Sequence, residues 1–171
     1  MPRTTFHPHS FFSQTCSTCI TQNCYALTST TGNSNTPENV SGFSCVNGLN
    51  NSFQACQVKN LVSTNTTRYV GFYLQDSENI SIKNCSVDMI QTDSLGYGIY
   101  LLNTSRCTIT NNLLSNINTS ATTGMGIYGN EQYNIFAENI TTWCDIAFDT
   151  AITNTQSGYE GSNFMYNVEL P

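Results

Sequence analysis

The sequence predicts an all-β chain wound as a coil of short parallel strands. Three observations predict it: a tandem repeat, a period-two alternation of apolar residues inside each repeat, and a composition that disfavours helices. Asn, Ser and Thr number 22, 18 and 24 of 171 residues. Their side chains compete with helical backbone hydrogen bonds and favour turns. Asp, Glu, Lys and Arg together make only 9%, far below what a coiled coil or helical bundle uses.

The repeat is read by setting Gly71-Phe-Tyr-Leu-Gln-Asp-Ser-Glu-Asn79-Ile80-Ser-Ile82-Lys-Asn84-Cys85 over Gly98-Ile-Tyr-Leu-Leu-Asn-Thr-Ser-Arg106-Cys107-Thr-Ile109-Thr-Asn111-Asn112. Gly126-Ile-Tyr-Gly129 opens another copy, and weaker ones start at Gly42, Ser10 and Thr155. The starts 10, 42, 71, 98, 126 and 155 lie 27 to 32 residues apart. Tandem units of this length imply a solenoid, each unit burying its apolar edge only against its neighbours.

Alternation then assigns strands within a unit. The first strand turns Phe72 and Leu74 inward, then Ile99 and Leu101, then Ile127. The second turns in Ile80 and Ile82, then Cys107 and Ile109, then Ile135 and Ala137. A third short segment carries Leu61, Ile90, Ile117 and Ile146. Stacked at about 4.8 Å, six such coils make a rod of roughly 29 Å. Asn50, Asn79 and Asn134, with Arg106 interrupting, form an expected asparagine ladder at the turn into the second strand.

Stacking also sorts the eight cysteines. Cys24, Cys56 and Cys85 share one repeat position, taken by Asn112 in the next unit, and Cys19 and Cys107 share another. Free thiols inside the core are the preferred reading, because cysteine behaves as a small hydrophobe. Disulfides between adjacent rungs are also compatible with the spacing. Cys16-x-x-Cys19 with Cys24 nearby lacks the second pair that a zinc site needs, so no metal or other cofactor is expected. Eight N-x-S/T sequons barely exceed what this composition produces by chance.

The Gly-Ile-Tyr-Leu cadence followed by Asn-x-x-Ile-x-x-Asn-Asn resembles the right-handed parallel β-helix repeats of the pectin-lyase-like superfamily. The likeness is close over residues 40–150 and looser at both ends. It implies a right-handed parallel β-helix of about five to six coils with three short strands each. The expected organisation is an N-terminal arm or cap over 1–12 and a single β-helix domain over 13–171, with the clearest repeats in 42–150. The superfamily holds lyases, polygalacturonases, epimerases, viral spikes, adhesins and purely structural solenoids, so the likeness speaks to fold and not to activity.

The catalytic motifs of those enzymes are missing. There is no Asp-Asp pair, no Gly-His-Gly and no Asp-Pro-His-Asp, and the two histidines, His7 and His9, precede the clear repeats. No catalytic residue is therefore assigned. Asp76 and Glu131 are weak candidates: they share a repeat position two rungs apart, about 9–10 Å, near the separation of an inverting carboxylate pair. Asp88 with Asp145 and Asp93 with Asp149 offer similar coincidences. Ordinary turn residues are the competing reading for all of them.

Tyr73, Tyr100 and Tyr128 lie between inward positions and should point outward on three successive rungs. Such a stripe suits a subunit interface, sugar stacking, or a self-stacking ladder under a loop. The expected function is a non-enzymatic assembly module docking onto other protein subunits, in a setting such as a virion, capsid or surface appendage. The alternative is a carbohydrate-binding or carbohydrate-cleaving β-helix. Five basic residues exclude a nucleic-acid face. No apolar run is long enough for a membrane helix. The N-terminus carries no recognisable secretory signal, which fits folding in place or a piece of a longer chain and leaves localisation open.

Overall fold

Each coil consists of three strands joined by turns whose corner residues adopt left-handed backbone. A computed structural model describes residues 10–14, 17–29, 40–63, 68–120, 124–129, 133–148, 163–165 and 168–170. The first coil holds β1 (Ser10–Gln14), β2 (Ile20–Gln22) and β3 (Tyr25–Ser29), and the second β4 (Val40–Val46), β5 (Ser52–Gln54) and β6 (Gln57–Ser63). The third holds β7 (Tyr69–Gln75), β8 (Ser81–Lys83) and β9 (Ser86–Thr92). The fourth holds β10 (Gly96–Leu102), β11 (Thr108–Thr110) and β12 (Leu113–Thr119), and the fifth β13 (Gly124–Gly129), β14 (Ile135–Ala137) and β15 (Ile140–Cys144). A sixth begins at β16 (Ile146–Phe148) and includes β17 (Asn163–Met165) and β18 (Val168–Leu170).

The strands form three parallel sheets of six: β1-β4-β7-β10-β13-β16, β2-β5-β8-β11-β14-β17 and β3-β6-β9-β12-β15-β18. This is the all-β, three-stranded coil that the repeat predicted. The interior is a set of apolar columns. Phe43, Phe72, Ile99 and Ile127 stack in the first sheet, and Phe53, Ile82, Ile109 and Phe136 in the second, all buried. Val58, Val87 and Leu114, with Leu61, Ile90 and Ile117, line the third. Phe43 and Phe72 stack at 5.1 Å and 13°.

The repeated glycine has a steric cause. A Cβ on Gly71 would lie 2.5 Å from the carbonyl oxygen of Gly98, one on Gly98 2.5 Å from that of Gly126, and one on Gly126 2.5 Å from that of Ala147. Each coil therefore presses its backbone into the space a side chain would need.

The turns explain the asparagines. Left-handed φ recurs in columns at Asn47, Asp76 and Asn103, at Asn50, Asn79, Arg106 and Tyr133, and at Asn23, Ala55, Asn84, Asn111 and Glu138. A fourth column, Asn60, Met89, Asn116 and Trp143, kinks the third-sheet strands themselves. Asn is the non-glycine residue that tolerates this region best.

Several expectations are corrected. Between Gly126 and the second strand the chain is one residue shorter than in the preceding unit, so Ile135 pairs with Thr108 and faces outward while Phe136 takes the interior place. A one-residue slip exchanges the two faces of a strand, and Ala137 is likewise displaced from the core. For the same reason Asn134 leaves the ladder with Asn50 and Asn79. It lies level with Cys107, whose N–H donates to Asn134 Oδ1 at 2.8 Å, and Tyr133 takes the turn.

In the third sheet Ile117 pairs with Cys144, not Ile146. The chain corners at Asp145, and Ile146 already belongs to the first sheet. The sixth coil consequently begins with Ala147 in the glycine column. Thr155, its expected start, lies outside the described residues. Likewise Phe12 pairs with Phe43, which sets Phe11, not Ser10, level with Gly42. Of the expected 1–12 arm, residues from Ser10 onward run in β1, and the rest lie outside the described residues.

Candidate functional site

Asp76 is a corner residue. It follows β7 in left-handed conformation (φ 48°) and is exposed. Asn103 Nδ2 donates to its Oδ1 at 2.9 Å and Gln75 Nε2 to its Oδ2 at 2.9 Å. Both oxygens are thus engaged in holding neighbouring turns. Glu131 lies outside the described residues.

The other acid pairings do not form as expected. Asp88 sits level with Ser115 and Thr142, so Asp145 is not in its column. Asp88 Oδ1 accepts from Ser115 Oγ and Asn116 Nδ2, both at 2.8 Å. Asp145 Oδ2 accepts the N–H groups of Thr119 at 3.2 Å and Gly124 at 2.7 Å, closing the corner into β13. Asp93 accepts from Ser120 Oγ at 2.5 Å, and Asp149 lies outside the described residues. Among the described residues no cluster of His, Cys, Asp or Glu is suited to hold a metal.

The tyrosine stripe is stacked on the outside of the first sheet but is not open. Tyr73 and Tyr100 stack at 5.5 Å and 12°, and Tyr100 meets Tyr128 at 4.9 Å. Tyr73 is only 6% exposed and Tyr100 7%. The reason is a second apolar layer that repeat counting did not single out: Val70, Tyr97, Leu95, Leu102 and Met125 pack around the rings. Tyr97 stacks on Tyr100 at 4.7 Å, and the Arg68 guanidinium lies 5.0 Å from the Tyr100 ring centre. Arg68 Nε is buried without a hydrogen-bond partner, so the ring faces carry its stabilisation there. The signal for this layer was Tyr97 itself, an outward aromatic three residues before Tyr100.

The cysteine column does lie where stacking placed it, and the thiols work as backbone clamps. The N–H of Cys56 donates to Cys85 Sγ at 3.4 Å, while Cys56 Sγ donates to the Thr21 carbonyl at 3.4 Å. Burial pushes the Cys85 thiol up to about 12 and the Cys107 thiol up to about 11. Such thiols stay protonated and unreactive at neutral pH. Cys24, Cys45, Cys56, Cys85, Cys107 and Cys144 are free, whereas Cys19 is disulfide-bonded, a correction to the all-thiol reading at that position.

Two outer features remain. An open groove of about 410 Å³ runs over Val62, Gln91 and Asn118 beside Thr92, Asp93 and Ser120. On the outer face of the third sheet, large apolar side chains stand in water: Tyr25 and Leu27 on the first coil, Leu113, Ile140 and Trp143 on the fourth and fifth. Trp143 is 68% exposed although its backbone is left-handed, in a column otherwise held by Asn60, Met89 and Asn116. Alternation alone does not single out these residues, because outward apolar side chains look like irregular core when only periodicity is counted.

No helix among the described residues is long and apolar enough to cross a membrane. No curated protein matches the chain. A family model described as right-handed beta helix region matches residues 70–167, the span that holds the Gly71, Gly98 and Gly126 column. The stacked parallel sheets and that match together make this chain a member of the right-handed beta helix family.

Proposed function

We propose that this chain is a non-enzymatic β-solenoid module that docks onto other protein subunits. The observation that carries the reading is the apolar group Leu113, Ile140 and Trp143 on the outer face of the third sheet. Exposed aromatic and aliphatic side chains gathered on one face are what subunit contacts use. Holding a Trp in left-handed backbone costs on the order of 1 kcal/mol, a cost that makes sense if the side chain is needed outside. Asp76, spent on turn hydrogen bonds, argues against catalysis by the superfamily's carboxylate chemistry. A virion or surface appendage is the setting such a module would serve.

The test is cross-linking of the chain in its native source, followed by identification of what it is joined to. Heteromeric adducts lost on Trp143→Ser support the reading. Turnover of a polysaccharide by the purified chain overturns it.

A carbohydrate reading draws on the groove, where Gln91 and Asn118 sit level on adjacent coils beside Asp93 and Ser120. Amides, hydroxyls and a carboxylate along such a channel suit sugar hydroxyls. A glycan array separates it: binding abolished by Asn118→Ala and Gln91→Ala favours it, and an empty array removes it.

A further inference from the structure

We propose that the first four coils of the outer face of the third sheet pair with a second copy of this chain, related by a two-fold axis running along the strands between the second and third coils. This rests on the docking reading above, in which the face is used for protein contacts, and adds a self-contact that leaves Ile140 and Trp143 on the fifth coil outside it.

The face is self-complementary in that arrangement. Two columns stand in register on it: Tyr25, Gln57, Ser86, Leu113 and Ile140, and beside them Leu27, Lys59, Asp88, Ser115 and Thr142. An axis along the strands reverses the coil order while keeping each column opposite itself. The second coil of one copy then meets the third of the other, and the first meets the fourth. Lys59 faces Asp88 of the other copy, twice by symmetry. Tyr25 of each copy faces Leu113 of the other, with Leu27 beside it. Isologous contacts require this kind of reciprocal matching.

The side chains are available for it. Leu27 is 55% exposed and Leu113 47%. Lys59 makes no ion pair within the described residues. Asp88 uses Oδ1 for both of its hydrogen bonds. Shifting the axis by half a coil sets Asp88 against Asp88, so charge selects the register. Four coils at about 4.8 Å by seven residues at about 3.3 Å give roughly 450 Å² on each copy, or roughly 900 Å² in all. That is the size of a weak, concentration-dependent contact, with Kd on the order of 10 μM.

Sedimentation velocity of the full chain over about 1–500 μM, a range chosen to bracket that Kd, should show a monomer–dimer equilibrium. Leu113→Glu should leave monomer only. Lys59→Glu and Asp88→Lys, each alone, should weaken the dimer on the order of tenfold by opposing like charges, and the double variant should restore it. Far-UV circular dichroism identifies any variant that fails to fold, and the charge-restored double variant does not depend on Leu113. A monomer at every concentration, a dimer indifferent to Leu113→Glu, or no restoration in the double variant overturns the proposal. The docking reading is scored separately: heteromeric cross-links lost with Trp143→Ser would stand even where self-association fails.

Discussion

Asn112 and Cys85 do the same job one coil apart. Asn112 accepts the N–H of Cys85 through Oδ1 at 2.9 Å and donates its own amide to the Ile82 carbonyl at 3.0 Å. Cys85 accepts the N–H of Cys56 through Sγ at 3.4 Å and donates to the Phe53 carbonyl at 3.6 Å. Asn139 continues the column, accepting from Asn112 N–H at 3.1 Å and donating to the Ile109 carbonyl at 2.8 Å. Each side chain ties the corner of its own coil to the one before it.

Two substitutions separate this clamp from simple filling of space. Asn112→Leu keeps volume but strands the Cys85 N–H in a buried corner, at about 1–3 kcal/mol, and takes one donor from the Ile82 carbonyl. Cys85→Asn supplies the same donor and acceptor in stronger form and should change stability by less than about 1 kcal/mol. Urea titration of both variants checks this. Equal losses would mean the column acts by packing alone.

The glycine column leads to a sharper expectation. The Cβ of Gly98→Ala would meet the Gly126 carbonyl oxygen at 2.5 Å and Ile117 Cδ1 at 2.7 Å. The isoleucine can swing away, but the carbonyl belongs to the next coil and cannot. Overpacking of this kind costs about 1–3 kcal/mol or more, so the midpoint of thermal unfolding should fall by several degrees. Gly96→Ala is the control, since its Cβ meets only side-chain methyl groups at 3.2 Å and beyond. A Gly98→Ala protein as stable as Gly96→Ala would remove the steric account of the repeat.

That column was visible in the sequence because glycine, Tyr-Leu and the apolar residues nine and eleven places on recur with little drift from Gly71 to Asn112. Where drift occurs, periodicity misleads. One residue fewer before Ile135 reversed the faces of β14, and Phe136, a better core residue than Ala137, was the local sign of it. Cys144 and the early start of the sixth coil were hidden for a different reason. The corner there is closed by a single carboxylate, Asp145, gathering two backbone N–H groups, and one residue leaves no repeat to count. The candidate surface was least legible. Whether an outward side chain is covered depends on its neighbours two columns away, as Tyr97 and Arg68 cover Tyr100 while Trp143 stays 68% exposed.

Tyr100 accordingly belongs to stability before it belongs to binding. It is stacked between Tyr73 and Tyr128 and against Tyr97. Tyr100→Ser removes a buried ring from the middle of that layer and should cost about 3–5 kcal/mol, as for other large aromatic truncations. Tyr100→Phe keeps the stack and should cost about 1 kcal/mol or less. Calorimetric unfolding distinguishes them, and a serine variant as stable as the parent would show the layer to be decorative.

Asp76→Asn should be almost silent in stability. Asn tolerates the left-handed corner as well as Asp does, and Asn47 and Asn103 already occupy the equivalent corners. The amide oxygen can still accept from Asn103 Nδ2, now 2.9 Å from Asp76 Oδ1. A change within about 0.5 kcal/mol is expected, as for surface sites generally. A substantial loss in a denaturant titration would mean that the charge itself holds the turns.

The buried thiols give the fold a ceiling in pH. Burial raises Cys85 from an ordinary 9.0 to about 12 and Cys107 to about 11, and it raises Cys56 as well. Unfolding releases them to their ordinary value. Below pH 9 both states hold the proton and these thiols contribute no slope. Above pH 9 the unfolded chain gives up protons that the folded chain keeps, so stability falls as pH rises. The slope is about 1.4 kcal/mol per pH unit for each thiol until the folded value is reached. The comparison is internal: Cys85→Asn should flatten the decline between about pH 9 and pH 11 by one thiol's share while leaving neutral-pH stability nearly unchanged. The same burial predicts that a thiol-specific disulfide reagent labels Cys56, Cys85 and Cys107 only after unfolding. Rapid labelling of the native chain, or parallel pH profiles for the two proteins, would show that the column opens to water and that its thiols are not the clamp described here.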